Sequence, residues 1–137
     1  MTKKSINVLS ALFCLILTPI ALSAAEDDYN KLIIGTWAEE IDSRGNIYFY
    51  DTYFPNGKMH GYGYVEPMDP NSYFFADGTW EIKNGMSCIT ITYSSDKLIK
   101  PGEYWCDKIV KLNHEVFIYQ SEGKNITMYR VSDGSVK

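Results

Sequence analysis

The sequence predicts an all-β chain, a small antiparallel barrel or strongly curved sheet of about eight strands, on three observations. Beyond Glu26 no apolar stripe recurs at helical spacing. β-Branched and aromatic residues gather instead in short runs at fairly even intervals. Turn chemistry separates the runs, including the dipeptides Asn56-Gly57 and Asn84-Gly85, which tolerate positive φ at a tight hairpin corner.

The chain opens Met1-Thr2-Lys3-Lys4, continues through an apolar stretch from Ile6 to Leu22, and meets the small residues Ser23-Ala24-Ala25 before Glu26-Asp27-Asp28. That order is the signature of a secretory signal peptide, with cleavage expected after Ala25. An uncleaved anchor needs about 20 apolar residues, and Asn7, Ser10, Thr18 and Pro19 interrupt this run. Cys14 sits mid-run behind the bulky Phe13, so no lipid attachment is implied. Residues 1–25 are therefore read as removed and 26–137 as one β domain, expected in the periplasm or outside the cell without a membrane anchor. A mature chain of about 112 residues folds alone with modest reserve.

Loss of Lys3 and Lys4 moves the formal net charge from −4 to −6. Only Arg44 and Arg130 remain as arginines, and there is no basic run, so nucleic acid is excluded as a partner.

Strands are expected at Thr36–Ile41, Ile47–Phe54, Lys58–Val65, Tyr73–Phe75, Thr79–Lys83, Met86–Tyr93, Glu103–Leu112, Val116–Gln120 and Asn125–Val131, after a short helix or extended lead-in over 26–34. At Asn84-Gly85 a two-residue turn sets Lys83 against Met86, Glu81 against Cys88 and Trp80 against Ile89. Trp80, Ile82, Ile89 and Ile91 then share one face, and Thr79, Glu81, Lys83 and Thr90 the other.

Centring the next connection on Ser94 to Lys100 brings Cys88 opposite Cys106 on the outer face, with Ile89 opposite Trp105. In an oxidising compartment this pair is a structural disulfide. A redox or metal centre fits less well, since there is no Cys-x-x-Cys and neither His60 nor His114 has ligand spacing to the thiols. No cofactor or metal is expected.

A bulge near Asp107-Lys108-Ile109 is expected, bringing Val110 and Leu112 onto the face of Phe117, Tyr119, Ile126 and Met128. At Asn56-Gly57 a two-residue turn sets Gly61 and Gly63 opposite Thr52 and Tyr50. Tyr48, Tyr50, Phe54, Met59 and Val65 then face inward, and Asp51, Tyr53, His60, Tyr62 and Tyr64 face solvent.

Gly35-Thr36-Trp37 in the first strand matches the Gly-x-Trp of lipocalins, and the last strand holds Arg130. With Phe54-Pro55-Asn56-Gly57 and Gly78-Thr79-Trp80-Glu81-Ile82-Lys83-Asn84-Gly85, the chain resembles small bacterial secreted lipocalin-like (calycin-type) domains, mostly of unknown function, over residues 33 to 131. The resemblance implies a structural role for Trp37 and Arg130, a cation–π plug at one barrel end.

The leading functional reading is a binding module that holds a small apolar or amphipathic molecule in the concave face, with Tyr48, Tyr50, Trp80, Ile91 and Trp105 as candidate walls. Asp107, on the same face, is either an internal ion pair with Arg130 or a polar anchor within the pocket. The alternative is a protein-interaction or inhibitor module for an envelope protein, using Tyr53, Tyr62, Tyr64 and Tyr73-Phe74-Phe75. An envelope hydrolase rests only on His60 and neighbouring acids, and His114 sits in a turn. No catalytic residue is assigned.

Overall fold

The computed structural model describes residues 20–40, 47–64 and 69–133, with side chains at 25–39 and from 49 onward within those spans. Of the segment expected to be removed, residues 1–19 lie outside the described residues, and the expected cleavage position falls within the helix α1, Ile20–Leu32. Its run of Ala and Leu favours helix, and Lys31 in the last turn suits the carbonyl end. Among the described residues, no helix is long and apolar enough to cross a membrane.

The described strands are β1 (Gly35–Glu40), β2 (Ile47–Tyr53), β3 (Lys58–Tyr64), β4 (Tyr73–Lys83), β5 (Met86–Ser94), β6 (Tyr104–Leu112), β7 (Val116–Ser121) and β8 (Lys124–Ser132). Each pairs antiparallel with the next, and β1 pairs with β8, so the sheet closes into a barrel. Tyr73–Phe75 and Thr79–Lys83, expected as two strands, are one continuous β4 with a register shift between Asp77 and Gly78. Gly78 permits that close approach, because a Cβ there would collide with the Thr90 carbonyl oxygen.

The two Asn-Gly corners fold differently. Asn84 and Gly85 take φ of 53° and 73°, as a two-residue type I′ turn demands. Lys83 therefore pairs with Met86, Glu81 with Cys88 and Trp80 with Ile89, in the expected register. At the other corner the Gly57 N–H donates to the Phe54 carbonyl at 3.1 Å and the Phe54 N–H to the Lys58 carbonyl at 2.9 Å. This is a three-residue loop with Gly57 alone left-handed, at φ 78°. Pro55 is the cause: its ring holds φ near the value of a type I first corner, and a left-handed glycine completes that loop.

The extra loop residue slips the β2–β3 register by one from expectation. Tyr53 pairs with Met59, Asp51 with Gly61 and Tyr50 with Tyr62. Since side chains alternate across a strand, the slip reverses the faces of β2 and leaves those of β3 in place. Phe49, Asp51 and Tyr53 point into the barrel, while Tyr50 stacks on Tyr62 outside, with ring centroids 5.0 Å apart. The inward placement of Tyr50 and Phe54 is thus corrected; the Tyr48 side chain and Val65 lie outside the described residues.

The β6 irregularity falls between Ile109 and Lys111, later than expected. Ile109 and Leu112 turn inward at 6% and 7% exposed, and Val110 faces out at 48%. Cys88 and Cys106 are directly paired and disulfide-bonded, on the parity opposite Ile89 and Trp105. Cys88 is nonetheless buried.

At the end where β1 begins and β8 finishes, Arg130 joins three stretches of chain. Its guanidinium lies 4.2 Å from the Trp37 ring centroid. Its Nη1 donates to the Ile34 carbonyl at 2.6 Å, its Nε to His114 O at 2.6 Å, and its Nη2 to Leu32 O. The Trp37 indole N–H donates to Ile33 O at 2.7 Å. Trp37 packs edge-on against Phe117 at 5.8 Å, and Phe117 against Tyr53 at 6.4 Å. Arg130→Lys keeps the charge but loses the planar fork, and is expected to destabilise by about 1–3 kcal/mol with an unchanged denaturant slope, as read by urea unfolding.

Candidate functional site

Above the Trp37–Phe117 plug the barrel holds a partly open cavity of about 220 Å³. Aromatic walls come from Phe49 and Tyr53 on β2, Phe74 on β4, Trp105 on β6, and Phe117 and Tyr119 on β7. Met59, Ile89, Ile91 and Ile99 add aliphatic surface. The polar lining is Asp51, Ser87, Asp107 and Ser121, and none of the described lining residues is basic. Trp105, 37% exposed, borders solvent.

Asp51 is the most constrained of these polar groups. It is 7% exposed, and its buried Oδ1 has no hydrogen-bond partner among the described residues. Gly61 makes its room: a Cβ there would lie 2.7 Å from Asp51 Oδ1 and 3.3 Å from Phe49 Cζ. Burial, with the neighbouring Glu39 carboxyl adding to it, pushes the Asp51 carboxyl up to about 7. Glu39 on β1 and Asp107 on β6 are also raised by burial; for Asp107 the Ser121 side chain opposes the rise and Glu122 adds to it.

Burial likewise raises the phenols of Tyr53 and Tyr119, with Asp51 contributing to both. Ser87 Oγ is buried without a hydrogen bond of full geometry, yet it lies near enough to Tyr53 to counter part of that rise.

No family model and no curated protein matches the chain. Among solved structures, the chain is similar to a lipocalin-like protein from Bacteroides uniformis at 13% identity and a TM-score of 0.53, covering 72% of this chain and 97% of that one. The barrel is lipocalin-like. An uncharacterized protein from Bacteroides eggerthii shares the fold at 13% identity and a TM-score of 0.52, over 72% of this chain and 98% of its own.

Within the lipocalin-like barrel, Ile91, Trp105 and Asp107 line the cavity. Trp80 does not: it packs edge-on to Tyr53 at 6.0 Å and donates its indole N–H to the Phe54 carbonyl at 2.9 Å, towards the plugged end. Tyr50 is outside the barrel, and the Tyr48 side chain lies outside the described residues. Asp107 does not pair with Arg130, whose three hydrogen bonds all go to backbone carbonyls. Of the candidate outer aromatics, Tyr53 and Phe74 face the cavity instead.

His60 faces outward and meets Asp77 at 2.7 Å, on the opposite side of the sheet from Asp51. Among the described residues no group of three His, Cys, Asp or Glu is placed to hold a metal ion. Sequence reasoning missed Asp51, Phe49, Tyr53, Ser87 and Tyr119 as wall residues. Pro55 before Asn56-Gly57 was the available signal for the first three.

Two outcomes follow from this geometry. Because the folded carboxyl of Asp51 holds its proton to a higher pH than the unfolded one, its ionisation opposes folding as pH rises from about 4 to about 7. Asp51→Asn is therefore expected to gain stability relative to the native protein across that interval and nothing further above it, as thermal unfolding at stepped pH will record. Gly61→Ala is expected to cost about 1–3 kcal/mol through overpacking. That cost should shrink in an Asp51→Ala background, which a double-mutant cycle in urea measures directly.

Proposed function

We propose that the mature chain is an exported binding module whose barrel interior holds a small apolar or amphipathic molecule. The observation that carries this reading is the cavity, walled mainly by aromatic and aliphatic side chains and interrupted by a few inward polar groups. That mixture is the general form of a small-molecule site, in which apolar walls supply affinity and sparse polar groups set orientation. The lipocalin-like fold and the disulfide are consistent with such a role outside the cytoplasm.

Native mass spectrometry of the protein purified from its own envelope is expected to retain a small molecule. An Ile91→Trp variant, which fills the cavity, should lose it while keeping the β-sheet circular dichroism. Retention by that variant, or an empty native protein that binds no small apolar probe, overturns the reading.

A second reading rests on the outer surface of β2 to β5. Tyr50 stacks on Tyr62, His60 lies 5.7 Å from Tyr62 and 6.1 Å from Phe75, and Phe75 lies 5.6 Å from Tyr93. This aromatic ladder suits a protein partner in the envelope. A protein retained in the same spectra, and lost from a Tyr62→Ser/Tyr93→Ser variant, would favour it.

A further inference from the structure

Asp51 sets the chemistry of the interior. A carboxyl group this deeply buried is costly unless something pairs with it, and none of the described residues hydrogen-bonds its Oδ1. The groups facing it are the Glu39 carboxyl from β1, the Tyr53 phenol from its own strand and the Tyr119 phenol from β7, and the Asp107 carboxyl acts on both phenols from β6. All four are neutral or acidic, and none of the described cavity residues is basic. Arg130, on β8 across β1 from Asp51, is given over to the carbonyls of Leu32, Ile34 and His114. The interior therefore carries uncompensated negative character.

The surrounding rings add to it. The faces of aromatic rings attract cations, most strongly where water is excluded. Size narrows the occupant further: about 220 Å³ exceeds the roughly 150 Å³ that accepts a benzene molecule and falls short of drug-sized pockets. No described group of three donors suits a metal ion, which leaves an organic cation as the complementary species.

We propose that the cavity takes a small organic cation, a protonated primary amine on a single ring or a short apolar chain, with its ammonium seated against the Asp51 carboxylate. The inference rests on the small-molecule reading of the barrel and specifies the ligand class. Benzylamine and its neutral near-isostere benzyl alcohol separate the two claims when each is titrated calorimetrically into the protein at pH 6 and pH 8.

Benzylamine is expected to bind about tenfold tighter than benzyl alcohol at pH 8, the gain of a desolvated charge-assisted pair. With the Asp51 carboxyl at about 7 in the empty barrel, its ionised fraction falls about tenfold from pH 8 to pH 6. The amine's preference should fall with it, and Asp51→Asn should abolish the preference. Equal affinities for the two probes at pH 8, or a preference insensitive to both pH and Asp51→Asn, overturns the amine inference and leaves the apolar site standing. Binding of neither probe overturns both. The pH comparison uses the unaltered protein, so the outcome does not depend on the variant folding.

Discussion

Closure of the barrel depends on one cation placed over one indole. β1 and β8 are the first and last strands, so their pairing brings together residues nearly a hundred positions apart and carries the largest loop-closure cost in the sheet. Arg130 reinforces that seam by lying on the face of Trp37 while its nitrogens collect carbonyls from the end of α1, the lead into β1 and the β6–β7 turn. The α1 carbonyl it reaches, that of Leu32, is one that helical hydrogen bonding leaves open, and its partial negative charge suits a guanidinium. Helix, seam and turn are thus held by a single side chain, and the ring it covers plugs the barrel floor through Phe117 and Tyr53.

With the floor sealed by rings, the polar cost of the interior concentrates at the cavity. Asp51 and Asp107 line the cavity from different strands, Glu39 acts on Asp51 from β1, and burial raises each of the three. Such an arrangement does not stabilise an empty barrel. Replacing an isolated buried charge by an apolar residue of similar shape commonly stabilises a fold. The acids are therefore a cost that packing does not require, whereas the apolar walls account for why the barrel stands.

Much of the architecture was legible because local chemistry and long-range pairing agree. Asn84-Gly85 has no competing residue beside it, so its two-residue turn, the facing of Trp80 and Ile89, and the opposition of Cys88 to Cys106 all follow from counting along the strands. At Asn56-Gly57 the same dipeptide sits behind Pro55, and the proline converts the corner to a three-residue loop. One residue of difference then exchanged Tyr50 for Phe49 and Asp51 on the inner wall. In β6 the bulge position was not readable, because Ile109 and Val110 are equally apolar and only packing against Tyr119 and Phe117 decides which turns inward. The alternation in β5 and the first half of β6 carried no such ambiguity, and Ile91, Trp105 and Asp107 line the cavity.

The three indoles stand in separate surroundings. Trp37 is sealed beneath a guanidinium, Trp80 is anchored to a turn carbonyl, and Trp105 stands half in solvent at the cavity edge. Emission from Trp37 is therefore tied to the integrity of the seam, and emission from Trp105 to whatever displaces water at the rim. The closure of the barrel and the wetness of its rim are thus written into different chromophores of the same chain.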